Sequence, residues 1–201
     1  MSFVMIKSLV FSPYIEHKAM KRIFDFTMSL FLILLLLFPF VILLVFIFFF
    51  NDVNGLFFQK RIGLNGVPFL IYKIRTFNSD NKVSNLSKFL RKYKIDELPQ
   101  LVNVLKGEMS FVGPRPEVLK YLGDFSGKYA VVLLLKPGLT SLATIKYFNE
   151  EDMLRSKDDP EEYNDTVIFP DKLNLNLKYY EEHSLYVDIR IIIKTMLKLI
   201  R

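Results

Sequence analysis

The strongest pattern along the chain is one long run of apolar residues near its beginning. Residues 26–50 contain no charged side chain. As a straight helix this run would be about 37 Å long, against a bilayer hydrocarbon core of roughly 30 Å. The run is too long for the hydrophobic region of a cleaved signal peptide, and no small-residue cleavage site follows it. The pattern therefore predicts a membrane segment.

Pro39 lies near the middle of this run and predicts a kink or a break, because proline lacks the backbone donor that a helix uses. Two paths fit: a kinked helix that spans the membrane, or a re-entrant helix over residues 23–50 that is broken at Pro39. The rarity of re-entrant segments favours spanning. The charges favour the re-entrant path, because basic residues flank the run on both sides, at Lys18, Lys21, Arg22, Lys60, Arg61, Lys73 and Arg75.

Residues 1–22 carry basic side chains and apolar ones at near-helical spacing, which predicts an N-terminal basic interfacial segment on the membrane surface. The chain then divides into this segment, the membrane helix of residues 23–50, and one domain over residues 51–201. About 150 residues are enough for a single hydrophobic core.

An alternating pattern over residues 55–77 predicts a β-hairpin. Two runs, residues 56–62 and 69–76, flank a turn that contains Gly63, Asn65 and Gly66. A period of two puts Gln59 and Arg61 on one face of the first strand, and Lys73 and Arg75 on one face of the second. These cations are either solvated strand residues or part of an anion site.

Further along, apolar residues at helical spacing predict amphipathic helices. One begins at Leu86, and others are expected over residues 117–135 and 173–182. Residues 149–165 are expected to form an acidic, solvated loop, with or without a short helix. In the last segment, residues 187–201, basic side chains form a stripe on an otherwise apolar helix, which fits the membrane interface or packing against the domain. The predicted fold class is therefore α+β, mainly helical: a small domain with a β-hairpin, amphipathic interface helices and an N-terminal re-entrant membrane helix.

The candidate chemistry lies in residues 91–116. Asp96 and Glu97 stand at a predicted helix start, where Asp96 is expected to be the N-cap and Pro99 is tolerated in the first turn. Capping alone would explain Asp96, but the helix dipole would also keep such a carboxylate ionised and in place. Arg115 stands in a stiff Gly-Pro-Arg-Pro turn, and its planar guanidinium suits a phosphate group.

Composition narrows the possible functions. The chain has 201 residues, a net charge of +6, no cysteine and two histidines, His17 and His183, far apart in sequence. A disulfide framework and a thiolate metal site are therefore excluded, and a histidine metal cluster is poorly supported. The basic balance is expected beside a membrane, which attracts cations to anionic lipid, so no nucleic-acid partner is expected.

Several motifs in this order and spacing make the chain resemble the monotopic phosphoglycosyl transferases, bacterial sugar transferases that initiate capsule, O-antigen and other surface glycan assembly. The resemblance runs from residue 21 to the C-terminus. Its motifs are Lys21-Arg-Ile-Phe-Asp25, Phe58-Gln-Lys-Arg-Ile-Gly63, Tyr72-Lys-Ile-Arg-Thr76, Asp96-Glu-Leu-Pro-Gln-Leu101, Asn103-Val-Leu-Lys-Gly-Glu-Met-Ser110, Val112-Gly-Pro-Arg-Pro116, Lys136-Pro-Gly-Leu-Thr140 and Ser184…Asp188.

The resemblance implies transfer of a sugar-1-phosphate from a UDP-sugar to a polyprenyl (undecaprenyl) phosphate, with Mg²⁺ and release of UMP. Asp96 would be the nucleophile and a candidate metal ligand, and Glu97 would handle a proton or place the metal. The phosphate-binding candidates are Gln59, Arg61, Lys73, Arg75, Arg91 and Arg115. The resemblance also implies the re-entrant path, the bacterial inner membrane with the catalytic domain on its cytoplasmic face, contact with anionic lipid, and a homodimer as a possibility.

Three positions depart from the family pattern. Phe38 precedes the membrane proline in place of a small polar residue, Ser141-Leu-Ala-Thr144 replaces Gly-Trp-Ala-Gln, and Asn176 replaces a frequent Asp. A non-catalytic membrane-anchored scaffold or regulator on the same fold is the alternative function, and it would tolerate the loss of Asp96. A polytopic transferase is excluded, since the chain has one long apolar run.

Overall fold

The computed structural model describes the backbone of residues 3–50, 55–77 and 83–200, with side chains described from residue 19 to 47 in the first of these segments. The predicted α+β, mainly helical class is confirmed. The α-helices are α1 (Phe3–Phe50), α2 (Asn85–Lys92), α3 (Leu101–Lys106), α4 (Leu142–Lys146), α5 (Glu150–Arg155), α6 (Pro160–Tyr163), α7 (Phe169–Glu182) and α8 (Leu185–Ile200).

The strands are β1 (Leu56–Ile62), β2 (Pro68–Ile74), β3 (Ser110–Val112) and β4 (Gly138–Thr140). Tighter 3₁₀ helices cover Leu64–Gly66, Ile95–Gln100, Leu119–Asp124 and Gly127–Leu134, and a π-helical turn covers Asn164–Ile168. The helix expected over residues 117–135 is therefore two 3₁₀ helices. The acidic stretch 149–165 holds two short helices, α5 and α6, where a loop with or without one short helix was expected.

α1 is the membrane segment, and its helical assignment continues through Pro39. The chain is therefore one helix here, without the expected interruption at Pro39, and its re-entrant path stays a prediction. Within the described residues, one stretch, Ala19–Ile47, is long and apolar enough to cross a membrane, and its most apolar 18-residue window has a mean hydropathy of 3.4. The predicted surface contacts of the side chains of residues 1–18 lie outside the described residues.

One face of α1 belongs to the core of the domain. This face is a stripe of apolar side chains that contact the domain: Phe24, Leu32, Ile33, Leu36, Phe40, Leu43 and Ile47. From Ile33 onward they recur at intervals of three and four residues. From Lys21 to Ile47 the helix is about 39 Å long. The domain therefore lies along the membrane segment and is not attached only at its end.

The other face of α1 is exposed along the same length. It carries large apolar side chains at Ile23, Phe26, Leu30, Phe31, Leu34, Leu35, Leu37, Phe38, Val41, Ile42, Val45 and Phe46. An exposed apolar surface of this extent on a folded protein marks contact with a membrane or another partner.

The predicted hairpin is confirmed as the antiparallel pair β1–β2. Its register pairs Phe57 with Lys73, Gln59 with Ile71, and Arg61 with Phe69. Paired residues of an antiparallel ladder share a face, so Gln59, Arg61 and Lys73 project to the same side. Arg75 follows the end of β2.

The segment that carries Asp96 differs from the predicted capped α-helix. α2 ends at Lys92, and Lys94 takes a left-handed backbone with φ of 56° before the 3₁₀ helix Ile95–Gln100 begins. Asp96 is therefore inside the first turn and is not an N-cap, because the tight turn after α2 places Lys94 at that position. The apolar pattern Leu98, Leu101, Val102 and Leu105 predicts a buried stripe, but only Leu101 of the central pair is buried and Val102 is exposed, since the 3₁₀ turn changes the phase of α3.

β3 and β4 form a short parallel pair that the sequence patterns did not predict. The two strands are joined at a very close approach of Gly113 and Gly138. A Cβ added to Gly138 would lie 2.1 Å from the Gly113 nitrogen, and one added to Gly113 would lie 2.1 Å from the Lys136 carbonyl oxygen. Only glycine fits at both positions, and Gly113 stands two residues before Arg115.

α8 packs against the domain on one side and is exposed on the other, so the two interpretations of the C-terminal segment do not exclude each other. Its inward side buries Asp188 and Ile191. Its outward side exposes an apolar row, Tyr186, Ile189, Ile193, Met196, Leu197 and Ile200, beside the exposed Arg190, Lys194 and Lys198. Contact with a membrane surface stays a prediction.

We expect Gly138→Ala to destabilise the domain by about 1–3 kcal/mol, because the new methyl group overlaps backbone atoms that have no room to move. The measurement is the midpoint of thermal unfolding, followed by circular dichroism in detergent micelles. Gly123→Ala is the matched control, since a Cβ at Gly123 meets nothing within 4 Å. Equal midpoints for the two variants would contradict the close packing of β3 against β4.

Candidate active site

The centre of the site is the carboxylate of Glu97, in the 3₁₀ helix before α3. Its Oε1 accepts a hydrogen bond from Lys73 Nζ at 3.0 Å and one from Arg115 Nη2 at 2.9 Å. Lys73 comes from β2 and Arg115 from the turn after β3, so one oxygen joins three separate segments. The Glu97 side chain is 11% exposed. Charge-assisted hydrogen bonds of this kind are among the strong ones in proteins.

The charges of this trio are set by their proximity. Burial alone would raise the pKa of Glu97, but the neighbouring Arg115 and Lys73 outweigh it and hold that pKa well below its usual range. Glu97 in turn raises the pKa of Arg115. For Lys73, burial lowers the pKa against the attraction of Glu97. Glu97 is therefore ionised near neutral pH, and it cannot supply a proton readily.

Asp96, the other member of the acidic pair, is in a different state. The residue is 8% exposed, and its Oδ1 is buried with no hydrogen-bond partner in the described part of the chain. Burial and the adjacent charge of Glu97 raise the pKa of Asp96 to about 6, against the opposing effect of Lys73, Lys94 and Arg91. Above that pH, the Asp96 carboxylate is an anion near the cations Lys73, Lys94 and Arg91.

Arg61 and Gln59 extend the cationic side of the site along β1. Arg61 Nη2 donates to Gln59 Oε1 at 2.7 Å, while Arg61 Nε is buried without a partner in the described residues. Burial lowers the pKa of Arg61, and Arg115 lowers it further, against Glu117 and Glu97. Arg61 therefore lies near Glu97 and Arg115, and Gln59 joins the group through Arg61; the role of these side chains in phosphate binding stays a prediction.

Arg91 and Arg75 are placed differently from one another. Arg91 Nη2 donates to Glu151 Oε1 at 2.6 Å, and its guanidinium lies 4.9 Å from the centre of the Phe77 ring. Arg91 is near enough to Asp96 to lower its pKa. Arg75 donates its backbone N–H to Gly55, and its Nε is buried without a partner in the described residues. Arg91 is at the rim of the site, and Arg75 lies beyond the hairpin end.

Three charged residues near the site were not among the predicted ones. Lys94 lowers the pKa of both Asp96 and Glu97, and Glu117 acts on Arg61 and Arg115. Glu151 reaches Arg91 from α5, sixty residues away in sequence. The position of Lys94, two residues before Asp96, was a visible signal. The pairing of Glu151 had none, because the acidic stretch showed only a solvated pattern.

The departing residues at 141–144 have a local structural role. Ser141 is the N-cap of α4, and its Oγ accepts a hydrogen bond from the Thr144 N–H at 2.9 Å. Asn176 is buried within α7.

A metal site made only of protein ligands is absent from the described residues, where no group of three or more His, Cys, Asp or Glu side chains could hold an ion. The unpartnered Asp96 Oδ1 next to Glu97 does fit Mg²⁺. This ion takes oxygen ligands and is often bound by one or two carboxylates together with substrate phosphates.

This arrangement suits chemistry on a phosphate group. Fixed cations can neutralise the oxygens of a phosphoryl group as charge develops, without reorganising during the reaction. A carboxylate oxygen held among them can attack phosphorus. Hydrolysis through a serine–histidine pair has no comparable constellation in the described residues.

Comparison with known proteins gives consistent results. Residues 16–201 match the family described as Bacterial sugar transferase. The uncharacterized sugar transferase EpsL of Bacillus subtilis is 32% identical over 192 residues, which cover 90% of this chain and 87% of EpsL.

Two relatives have more specific names. The UDP-glucose:undecaprenyl-phosphate glucose-1-phosphate transferase of Caulobacter vibrioides is 34% identical over 157 residues, covering 70% of this chain and 55% of that protein. The UDP-N-acetylgalactosamine-undecaprenyl-phosphate N-acetylgalactosaminephosphotransferase of Aeromonas hydrophila is 31% identical, covering 70% of this chain and 34% of its own length. The chain thus spans about half and about a third of these two relatives.

The family match covers the membrane segment and every residue of the site described above, from the hairpin cations to Arg115. On this evidence, the chain belongs to the bacterial sugar transferase family.

Proposed function

We propose that the protein transfers a sugar-1-phosphate from a UDP-sugar to a membrane polyprenyl phosphate, releases UMP, and so initiates the assembly of a surface polysaccharide or glycoconjugate. One observation carries the proposal: a buried, unpartnered carboxylate oxygen of Asp96 lies near Lys73, Lys94 and Arg91, and the adjacent Glu97 binds both Lys73 and Arg115. The names of the Caulobacter and Aeromonas relatives support a UDP-sugar and undecaprenyl phosphate as the two substrates.

In the first step, an Asp96 carboxylate oxygen attacks the phosphorus attached to the sugar. A bond forms between this oxygen and phosphorus, and the bond from phosphorus to the bridging oxygen of UMP breaks, with the electron pair leaving on UMP. Lys73 and Arg115 stabilise the negative charge on the phosphoryl oxygens. Glu97 keeps both cations in place, and its low pKa makes it a positioning group and not the proton donor.

In the second step, a phosphate oxygen of the polyprenyl phosphate attacks the phosphorus of the aspartyl phosphosugar. The bond between Asp96 and phosphorus breaks, which restores the carboxylate and gives a polyprenyl diphosphate sugar. The acceptor is already an anion, so this step needs no strong base. Asp96, with Glu97 beside it, would hold Mg²⁺, which supplies charge neutralisation for the diphosphate when bound.

The contacts of α1 support the re-entrant path. Its domain-facing stripe continues from Phe24 to Ile47. A helix that spanned the bilayer along this length would carry the contacting parts of the domain, including the charged hairpin, into the hydrocarbon. Transfer of charged groups into hydrocarbon is strongly unfavourable. A kink at Pro39, which the sequence predicts, would let the helix enter and return, with both of its ends on the side of the domain at the cytoplasmic face of the bacterial inner membrane.

The exposed side of α8 supports a second contact with the membrane. Its apolar row lies beside Arg190, Lys194 and Lys198, which combines insertion of apolar side chains with attraction to anionic lipid headgroups. With α1 and α8 both at the bilayer, the domain would rest on the membrane surface, where a lipid-linked phosphate can reach Asp96.

We expect Asp96→Asn to reduce UMP release by about three orders of magnitude or more, because an amide cannot replace the attacking carboxylate. The assay measures UMP from purified protein in detergent with polyprenyl phosphate, Mg²⁺ and a panel of UDP-sugars, which also identifies the sugar. Asp124→Asn, at an exposed carboxylate in the 3₁₀ helix Leu119–Asp124, is the matched control and is expected to retain activity. Full UMP release by the Asp96 variant would refute the mechanism and favour a different function.

The pH dependence of kcat/KM should report the ionisation of Asp96. Its pKa of about 6 predicts a rate that rises with pH through this value and levels off above it, because only the deprotonated oxygen attacks. Lys94→Met should move the midpoint to higher pH, since the charge of Lys94 lowers the pKa of Asp96. Lys128→Met, at an exposed lysine outside the site, should leave the midpoint in place; identical profiles for both lysine variants would contradict the assignment.

Topology can be tested because the natural chain has no cysteine. Intact cells that express Ser2→Cys or Gly123→Cys are treated with a membrane-impermeant thiol reagent, before and after permeabilisation. The re-entrant path predicts that both cysteines are labelled only after permeabilisation. Labelling of the Ser2→Cys protein in intact cells, with Gly123→Cys still protected, would instead establish a spanning helix.

A further inference from the structure

We propose that the catalytic groups are positioned by three side chains of α1 near the start of its apolar stretch: Lys21, Arg22 and Asp25. We call these three residues the α1 clamp. The clamp fixes α3, which follows Asp96 and Glu97, relative to β3, which precedes Arg115. This inference rests on the proposed transfer reaction for its kinetic test.

The clamp binds β3 at two backbone groups that flank the peptide bond between Phe111 and Val112. Asp25 Oδ1 accepts a hydrogen bond from the Phe111 N–H at 3.1 Å, and Lys21 Nζ donates to the Val112 carbonyl oxygen at 3.1 Å. Arg115 follows Val112 after a Gly-Pro pair in which the glycine is packed against the Lys136 carbonyl. A stiff connection of three residues therefore joins the clamp to the Arg115 side chain.

The clamp also holds the end of α3. Arg22 Nη1 donates to the Val104 carbonyl oxygen at 2.8 Å, and Nη2 donates to that of Leu105 at 2.7 Å. These carbonyls are in the last turn of α3, where a helix lacks internal donors and where its dipole attracts a cation. α3 follows directly on the 3₁₀ helix that carries Asp96 and Glu97. The position of the acidic pair thus depends on the point at which Arg22 holds α3.

Groups from α7 and α8 hold the clamp itself. Lys21 forms an ion pair with Asp188, which is 1% exposed, and it lies 3.3 Å from the Tyr179 hydroxyl. That hydroxyl donates to Asp188 Oδ1 at 2.6 Å. The Lys21 ammonium is thereby bound by three groups on separate elements, which leaves it little freedom to follow a shift of β3.

Anchoring of α1 alone does not account for these polar contacts. The remainder of the domain-facing stripe is apolar except for the buried Ser29, whose hydroxyl donates within α1 to the Phe26 carbonyl oxygen, and these apolar contacts already attach the helix. Burying charged groups costs free energy unless they are paired. A charged set among apolar contacts therefore fixes the relative position of the segments more than it stabilises the fold. Its targets are backbone atoms on either side of the site. The bond between Glu97 and Arg115 then joins the two clamped segments, so displacement of one reaches the other.

The test compares two substitutions at Asp25. Asp25→Leu removes the acceptor of the Phe111 N–H at nearly constant size, and a cavity of about 280 Å³ beside Asp25 provides space for the new side chain. Asp25→Asn keeps an acceptor oxygen. We expect kcat for UMP release to fall by about tenfold to a hundredfold in the leucine variant, as for small misplacements of catalytic groups. The asparagine variant should recover most of this loss.

Ile47→Ala is the control for a purely structural effect. Ile47 is fully buried against Ile74 and Leu90, at the far end of the same interface. Its truncation should lower the thermal midpoint at least as much as Asp25→Leu while changing kcat per folded enzyme much less. A loss of kcat that follows the thermal midpoint across these variants would overturn the proposal.

A double-mutant cycle adds a second criterion. If Asp25 acts through Arg115, then Asp25→Leu should cost far less in kcat when Arg115 is already Met, because the group it positions is gone. Multiplication of the two single effects would show that they act independently, and would overturn the proposal.

Failure of the proposed reaction is distinguishable from failure of this inference. If the natural protein releases UMP from no UDP-sugar in the panel, the proposed function is wrong. The clamp is then judged by hydrogen exchange of the backbone amides. Asp25→Leu should accelerate exchange in both residues 95–101 and 110–113, and Ile47→Ala in neither. Acceleration confined to 110–113, or equal in the two variants, would overturn the coupling.

Discussion

One buried carboxylate oxygen, Oε1 of Glu97, is the interaction on which the rest of the site depends. It binds both Lys73 and Arg115, which come from the hairpin and from the turn after β3. A buried ion pair gains little net stability, since desolvation offsets much of the attraction, but the loss of one partner leaves a charge buried and unpaired. The three segments must therefore arrive together. Once they do, Lys73 and Arg115 are both held at Glu97, the residue next to Asp96.

The sequence predicted those elements whose pattern is local. The alternating pattern and the Gly63-Leu-Asn-Gly66 turn predicted the hairpin, and helical periodicity predicted α2 and α8. The patterns did not reveal the pairing of β3 with β4, because three-residue strands have too few positions to show a period. The 3₁₀ helix before α3 was also missed, since Asp96 and Pro99 are equally typical of an α-helical start and nothing marked the left-handed Lys94.

For the site, the order of family motifs identified the residues, and the register of the hairpin explains why they meet. Gln59, Arg61 and Lys73 face the same side only because the pairing places Phe57 opposite Lys73, which no single-strand pattern specifies. Contacts over long sequence distances, such as Arg91 with Glu151, are a property of the packed structure. They involve two exposed, charged stretches that appeared equally solvated in sequence.

The membrane segment is part of the folded core and not an appended anchor. Phe24, Leu36 and Ile47 belong to the clusters that also contain Val104, Ile71 and Ile74. Removal of α1 would expose the apolar side of the domain along its whole length. A shortened protein without this helix would therefore be expected to lose the geometry of the site along with its attachment to the membrane.

The opposite face of α1 has a consequence for the state of association in solution. Its exposed leucine, isoleucine and phenylalanine side chains must be covered, by lipid, by detergent or by the same face of another copy. In buffer without lipid or detergent, contact with another copy is favoured, and oligomers formed there reflect only the burial of this helix face. In a lipid nanodisc that face is already covered, so any dimer observed there reports a contact between the folded domains.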